Sequence, residues 1–150
     1  MTQERPKSVV DAHVLLIKGG TVLLLRRQNT GFEDGKLCLI SGHLEAGEPV
    51  IEAARREAME EAGIDVHLDD LEFVHVMHNN SGGHRMAFFF EASSWHGEAR
   101  NAEPDKCSEI VWASLEDLPE DIIPYQREAI IHALNGNIFS CRGWQKPEGE

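Results

Sequence analysis

A single helix-forming stretch, residues 48–62, places the strongest constraint on how this chain folds. At 100° per residue its apolar side chains fall on one stripe about 120° wide, as expected for a helix with one face in the core. Gly47 precedes the stretch and Gly63 follows it, and glycines at these places favour a helix boundary. The stripe consists of Val50, Ile51, Ala54, Ala58 and Ala62. The helix therefore predicts a layered fold in which this stripe packs against another element.

Three carboxylates of the same helix, those of Glu57, Glu60 and Glu61, crowd the edge of the apolar stripe. Like charges at this spacing cost about 0.2–0.5 kcal/mol per pair in an isolated helix, and partly buried acids need a partner. Arg55 and Arg56 are expected to point away from the centre of the cluster. A hard divalent cation would relieve the repulsion and could hold a phosphate nearby. Three glutamates alone, however, more often form a solvated acidic face.

The acidic helix belongs to a longer pattern over residues 42–64, GHLEAGEPVIEAARREAMEEAGI. The positions that define the pattern are Gly42, Glu48, Arg56, Glu57, Ala58, Glu60, Glu61, Gly63 and Ile64. This segment resembles the signature of the Nudix hydrolase family at every fixed position, which is far more specific than a lone glycine motif. The chain departs locally at Ile40-Ser41-Gly42, where the family often has Pro-Gly-Gly. The resemblance favours a metal site over a solvated acidic face.

The resemblance also implies the fold, an α/β/α sandwich with a mixed β-sheet, of the α/β (α+β) class. The remaining chain agrees, because β-prone stretches lie on both sides of the acidic helix and a second helix follows. The predicted strands are 9–17, 21–26, 37–40, 71–77, 85–90 and 109–115, and the predicted helices are 48–62 and 124–135. We expect one domain over residues 1–150, with loose ends at 1–7 and 145–150.

The resemblance implies that the acidic cluster coordinates Mg²⁺ or Mn²⁺. The implied ligands are the carboxylates of Glu57, Glu60 and Glu61, together with the backbone carbonyl of Gly42. A divalent metal polarises phosphoryl oxygens, offsets charge in the transition state and lowers the pKa of a bound water. These residues therefore predict hydrolysis of a diphosphate linkage by water.

Other positions of the pattern have a structural or a proton-transfer role in the family. Glu48 and Arg56 resemble an ion pair that holds the loop against the helix. The general base varies among members, so Glu57 and Glu60 within the pattern and Glu103 in the later loop NAEPDKC are the catalytic candidates. Glu103 is equally well explained as a solvent-exposed loop acid.

Three arginines are candidates for substrate contacts. Arg26 and Arg27 end a predicted strand, and Arg85 begins another, so their guanidinium groups could meet phosphates. Arginines at such positions are commonly solubilising instead. Both interpretations stay open from the sequence.

Composition and charge narrow the partners. The net charge of −12 argues against wrapping a nucleic acid polymer, which requires a basic surface. No apolar run approaches the ~18 residues of a membrane span, and the first residues lack an apolar signal core. The three cysteines, Cys38, Cys107 and Cys141, lack CxxC spacing and are expected to be reduced thiols. We therefore expect a cytoplasmic protein with a small-molecule partner and no membrane partner.

The sequence favours a Mg²⁺-dependent hydrolase of a nucleoside diphosphate-linked substrate. Cleavage of a nucleoside triphosphate to a monophosphate and pyrophosphate is the preferred form. A nucleotide sugar, a dinucleoside-type substrate or a non-nucleotide diphosphate is the first alternative. A non-catalytic Nudix-fold module that binds nucleotides as a sensor is the second, and an isomerase on the same fold is the third. By analogy with the family, the chain could form a homodimer.

Overall fold

Strands dominate the chain on both sides of the acidic helix. The computed structural model describes residues 4–145, so only residues 1–3 and 146–150 of the predicted loose ends, 1–7 and 145–150, lie outside it. The strands are β1 Val9–Lys18, β2 Thr21–Arg27, β3 Leu37–Cys38, β4 Ile40–His43, β5 Glu72–Asn79, β6 Arg85–Ala92, β7 Cys107–Ser114 and β8 Phe139–Arg142. The helices are α1 Val50–Ala62 and α2 Pro124–Leu134, with a short 3-10 turn at Leu68–Asp70. Residues 4–8 have no regular structure and are exposed.

The strands form a mixed sheet. Its order is β3-β2-β1-β6-β5-β8, with β4 paired to β1 and β7 paired to β2. The pairs β1–β6 and β5–β8 are parallel, whereas the other pairs are antiparallel. Strand β1 therefore pairs directly with both β4 and β6, so side chains from these three strands can lie close together.

The two helices cover opposite faces of the sheet. Alternate residues of β1 point to opposite faces, so Ala12, Val14 and Leu16 pack in the core under α1 while Leu15 packs in the core under α2. The side of α1 that faces the sheet is made of alanines, which let the helix approach the strands closely. They are Ala53, Ala54, Ala58 and Ala62, all fully buried. The predicted α/β/α sandwich with a mixed sheet is confirmed.

The boundaries of α1 follow from its flanking residues. The helix begins at Val50 instead of residue 48, because Pro49 is in an extended conformation. Gly63 ends it in the left-handed region at φ 67°, which costs little without a Cβ atom. No helix of the described residues is long and apolar enough to cross a membrane.

Two strand predictions need correction. The single strand predicted at 37–40 is two strands, because the backbone N–H of Leu39 donates to the side chain of Gln126 at 2.7 Å instead of to a strand. The chain then passes from a pairing with β2 to a pairing with β1. Strand β8 was not predicted from the sequence. It is short, and it pairs in parallel with β5, which lies about 60 residues earlier in the chain.

Candidate active site

The end of β4 lies directly against the acidic face of α1. A Cβ atom added to Gly42 would lie 2.1 Å from Oε1 of Glu57, far inside van der Waals contact. While Glu57 keeps this conformation, only a glycine lets the backbone of β4 approach its carboxylate so closely. Glu57 itself is largely buried, with its side chain 13% exposed. The fold thus brings together Gly42 and Glu57, two residues that the resemblance assigns to the metal.

Arg56 ties the loop after β4 to the helix. Its Nε donates to Oε2 of Glu48 at 2.8 Å and its Nη2 donates to Oε1 at 3.0 Å, a bidentate pair. Nη2 also donates to the backbone carbonyl of His43 at 3.0 Å. The hydrogen bond from Arg56 holds the pKa of Glu48 below its ordinary value. This geometry is the one expected of a structural ion pair between loop and helix.

The same arginine also reaches the acidic cluster. Nη1 of Arg56 donates to Oε1 of Glu57 at 2.7 Å and to Oε2 of Glu60 at 3.2 Å. The expectation that Arg56 points away from the cluster is wrong. A helical-wheel angle gives the direction of the Cα–Cβ bond only, and a long arginine side chain can turn back along the helix surface. Arg55, in contrast, does point elsewhere and pairs with Asp65 at 2.9 Å.

Glu61 has no such cation. Its Oε2 accepts the backbone N–H of Ser41 at 3.0 Å, and no salt bridge to it occurs among residues 4–145. Burial, and next the adjacent negative charge of Glu57, raise the pKa of Glu61 well above its ordinary value. Burial likewise raises the pKa of Glu57. Without a cation, burial and the neighbouring carboxylate therefore disfavour the ionised form of Glu61, which a bound cation would favour.

The loop that carries Glu103 packs against the end of α1. The backbone N–H of Ala102 donates to the carbonyl of Glu61 at 3.2 Å, and that of Arg100 donates to the carbonyl of Ala62 at 3.0 Å. The charge of Glu103 contributes to the raised pKa of Glu61, although less than burial and Glu57 do. The tertiary structure thus brings Glu103 near the cluster, although Glu103 follows Glu61 by 42 residues in the sequence.

The chemistry of these groups fits a hard cation. Carboxylate oxygens and a backbone carbonyl are the ligands that Mg²⁺ and Mn²⁺ prefer. Within residues 4–145, no group of three or more His, Cys, Asp or Glu side chains is already arranged to hold a metal ion. The guanidinium of Arg56 instead occupies Glu57 and Glu60. A cation would therefore compete with Arg56 for these two carboxylates or bind their other oxygens.

A cleft of about 620 Å³ opens beside Gly42. One wall is the end of β4, at Ser41, Gly42 and His43, and another is the start of α2 at Tyr125. The loop after β2 contributes Phe32. This volume lies within the range of about 300–1,000 Å³ that is usual for small-molecule sites.

The three candidate arginines have different surroundings. Arg27 and Arg85 line the cleft. Arg26 points to the other side of β2, where it pairs with Glu109 at 2.7 Å and Asp121 at 2.8 Å and is absent from the cleft wall. Arg27 has no carboxylate within salt-bridge distance among the described residues. Arg27 is therefore better placed than Arg26 to meet an anion.

A buried aspartate that the sequence interpretation missed anchors Arg85. Asp11 is only 5% exposed, and its Oδ2 accepts Nε of Arg85 at 2.9 Å while its Oδ1 lies 2.5 Å from Nδ1 of His43. These contacts join β1, β4 and β6 at the cleft wall. The available signal was an aspartate within the otherwise apolar strand VVDAHVLLI.

A second missed group forms the floor of the cleft. His13 is fully buried, with Nδ1 3.2 Å from the carbonyl of Phe88 and Nε2 2.8 Å from the hydroxyl of Tyr125. Burial lowers the pKa of His13 to about 4 and raises that of Tyr125 to about 12. The imidazole is therefore neutral near pH 7. Its Nδ1–H donates a hydrogen bond to the carbonyl of Phe88, and its Nε2 accepts a hydrogen bond from the hydroxyl of Tyr125.

Comparison with known proteins places these features in a family. The family model of the NUDIX domain matches residues 7–133. The NAD-capped RNA hydrolase NudC of Pseudomonas aeruginosa is 33% identical over 134 residues. That match covers 89% of this chain and 45% of the relative. The chain therefore spans about half the length of the curated relative that it matches.

Solved structures show the same architecture. The MutT NUDIX hydrolase from Burkholderia pseudomallei matches with a TM-score of 0.75 and 29% identity, over 84% of this chain and 98% of that one. The MutT protein from Methanosarcina mazei Go1 matches with a TM-score of 0.75 and 23% identity, over 91% and 99% of the two chains. The overall fold of this chain therefore has counterparts among solved proteins.

Proposed function

Because the chain belongs to the NUDIX domain family, we propose that it is a divalent-metal-dependent hydrolase of the diphosphate linkage in a small nucleotide. A nucleoside triphosphate, cleaved to a monophosphate and pyrophosphate, is the preferred substrate. The observation that carries this proposal is the contact between Gly42 and the buried carboxylate of Glu57, next to Glu61 and beside the cleft. A carboxylate cluster with excess negative charge is suited to a cation that also binds phosphate.

Glu57, Glu60 and Glu61, with the Gly42 carbonyl, would hold the metal. When bound, Mg²⁺ or Mn²⁺ would polarise the phosphoryl oxygens and offset the negative charge of the transition state. The ion pair between Glu48 and Arg56 keeps the Gly42 loop against the helix. Its role is to position the ligands and not to react.

Glu103 is our candidate for the general base. Its loop is held to α1 by backbone hydrogen bonds, and its negative charge contributes to the raised pKa of Glu61. A carboxylate there could accept the proton of the attacking water, as Glu57 or Glu60 could within the cluster. The water oxygen would bond to one phosphorus, and the bridging oxygen would leave with its electron pair on the other phosphate.

Arg27 and Arg85 are the proposed phosphate contacts. Both line the cleft, and together they supply positive charge on the surface of a protein whose net charge is −12. Arg27 pairs with no carboxylate among residues 4–145, so its charge is available to an anion in the cleft while it stays bonded to the loop. Arg85 is oriented by Asp11. A substrate role for Arg26 has no such support, since two carboxylates already hold it.

A dinucleotide-type substrate is the second candidate. The curated relative NudC is an NAD-capped RNA hydrolase, and it is 33% identical to this chain over 134 residues. A diphosphate that joins two nucleosides presents the same linkage to the acidic cluster. A capped RNA end therefore belongs among the substrates to be tested, despite the net negative charge that argues against a polymer.

The test is a substrate panel with Mg²⁺, in which products are separated by chromatography. The panel contains nucleoside triphosphates, nucleotide sugars, NAD, NAD-capped RNA and a non-nucleotide diphosphate. We expect turnover of at least one member, with loss of activity in EDTA and in Glu61→Gln. Binding of nucleotides with no turnover of any member would favour the non-catalytic sensor. Activity that survives exhaustive EDTA treatment would rule out the metal-dependent mechanism.

A further inference from the structure

The loop between β2 and β3, residues 28–36, holds an exposed phenylalanine at the wall of the cleft. Phe32 is 53% exposed and lines the cleft, whereas Phe89 and Phe90 are buried in the core. A single exposed apolar side chain is common on protein surfaces and by itself assigns nothing. The position of Phe32 is informative because the loop around it is ordered by polar contacts and a cation lies over its ring.

The loop conformation is fixed from both ends. The carboxylate of Asp34 accepts the backbone N–H groups of Thr30 at 3.1 Å and Gly31 at 2.9 Å, and also the hydroxyl of Thr30. Arg27 donates from Nε to the carbonyl of Phe32 at 2.8 Å and from Nη2 to Oγ1 of Thr30 at 3.0 Å. The backbone that carries Phe32 is therefore held in place before any ligand arrives, which lowers the entropy cost of using its ring.

Arg27 also contacts the ring of Phe32. The guanidinium carbon lies 5.4 Å from the ring centre, within the range of a cation–π interaction. The guanidinium lies against one side of the ring, and Phe32 as a residue is still more than half exposed to solvent. Because no carboxylate pairs with Arg27 among residues 4–145, the guanidinium stays available to the ring and to the cleft. The result is a flat apolar surface with a positive charge behind it.

We propose that Phe32 is the platform on which the base of the substrate stacks. This inference depends on the proposed function and deepens it, since it states that recognition includes an aromatic base and not the diphosphate alone. Nucleobases stack on aromatic side chains with little dependence on base identity. The cleft runs between Phe32 and Gly42, so the base would lie at the loop and the phosphates would lie toward the acidic cluster.

The test measures binding without turnover. In buffer with EDTA, calorimetric titration compares AMP with ribose 5-phosphate, which has the same sugar and phosphate but no base. We expect AMP to bind the parent more tightly, and Phe32→Ala to lose about tenfold in AMP affinity with no change for ribose 5-phosphate. Phe32→Trp should keep the AMP affinity. Phe139→Ala is the matched control, because Phe139 is similarly exposed, at 57%, and does not line the cleft.

Several outcomes would overturn the platform. The first two are an unchanged AMP affinity in a folded Phe32→Ala protein and an equal loss of affinity for AMP and for ribose 5-phosphate in that variant. The others are an equal loss of AMP affinity in Phe139→Ala, and a parent protein that binds AMP and ribose 5-phosphate equally well. Thermal melts verify the fold of each variant. The proposed hydrolase fails separately, if the substrate panel shows no turnover. If the protein binds AMP through Phe32 but hydrolyses no member of the panel, the stacking role of Phe32 is supported and the proposed hydrolase activity is contradicted.

Discussion

At the scale of single residues, the contact between Gly42 and Glu57 gives the most direct test of the site. Gly42 has an ordinary backbone conformation, so an alanine is sterically allowed except for the contact of its Cβ with the carboxylate. We predict that Gly42→Ala displaces the Glu57 carboxylate and lowers turnover on the order of 100-fold. The melting temperature should change little, because the end of the Glu57 side chain can move. Turnover near the parent level would contradict the assigned geometry.

A second residue-scale prediction concerns the charge of Glu61. Its pKa is raised by burial and by Glu57, so an acid at this buried position makes the folded protein less stable as the pH rises above the ordinary range of a carboxyl group. Glu61→Gln removes that charge with little change in volume, and in metal-free buffer it should melt no lower than the parent. Glu57→Gln should also melt no lower than the parent, because burial raises the pKa of Glu57 in spite of the hydrogen bond from Arg56 at 2.7 Å, and the glutamine oxygen can still accept that bond. Thermal melts at fixed ionic strength make the comparison.

The same melts with Mg²⁺ test whether Glu61 is a metal ligand. A ligand at a hundredfold excess over its dissociation constant stabilises the folded state by about 2.7 kcal/mol. The parent should therefore melt higher with Mg²⁺, and Glu61→Gln should lose most of the increase. An equal increase in the two proteins would mean that the cation binds elsewhere.

At the scale of elements, the end of α1 connects the helix to the loop of Glu103. Gly63 has φ 67°, and a Cβ atom there would lie 2.8 Å from Nε of Arg100. Gly136, just past the end of α2, has a similar φ of 75° with no atom within 4 Å of its Cβ position. We predict that alanine at either position costs about 1–2 kcal/mol of stability through backbone strain. Only Gly63→Ala should also lower turnover, because it pushes on the loop that carries Glu103.

Chemical denaturation and turnover assays on the two alanine variants separate these effects. Backbone strain alone would change both stabilities by similar amounts and leave both turnover rates alone. If Gly63→Ala hydrolyses substrate as fast as Gly136→Ala does, the position of the loop that carries Glu103 is unimportant for the reaction. That result would contradict the proposal that Glu103 is the general base.

At the scale of the whole molecule, the buried histidine of the cleft floor predicts how stability depends on pH. The pKa of His13 is about 4 in the folded protein and 6.5 as the ordinary value. The unfolded chain therefore binds more protons between these values, and stability falls as the pH drops from 6.5 toward 4. The difference corresponds to about 3 kcal/mol. The lowered pKa of His75, caused mainly by burial, acts in the same direction.

His13→Gln tests this prediction, because an uncharged amide cannot titrate in the window. Unfolding free energies measured between pH 4 and pH 7 should show a shallower slope in the variant than in the parent. The raised pKa of Glu61 acts in the opposite direction and is best removed by using Glu61→Gln as the background. Parallel slopes with and without His13 would contradict its neutral buried state.

The sequence by itself determined the features that depend on short-range order. The period of α1, its end at Gly63 and the spacing of Glu57, Glu60 and Glu61 are visible within 23 consecutive residues, 42–64. The strands that bracket the helix were predictable for a similar reason, because β-prone composition is local. This local information was enough for the fold class and for the acidic cluster.

The tertiary structure alone decided which other groups share the site. Asp11 meets Arg85 from 74 residues away and His13 meets Tyr125 from 112 residues away, and no local pattern encodes such pairs. Arg26 and Arg27 are adjacent and equivalent in the sequence, yet the alternation of strand β2 sends only Arg27 to the cleft. Side-chain direction and long-range pairing are properties of the packed sheet, and for this reason the cleft became visible only in three dimensions.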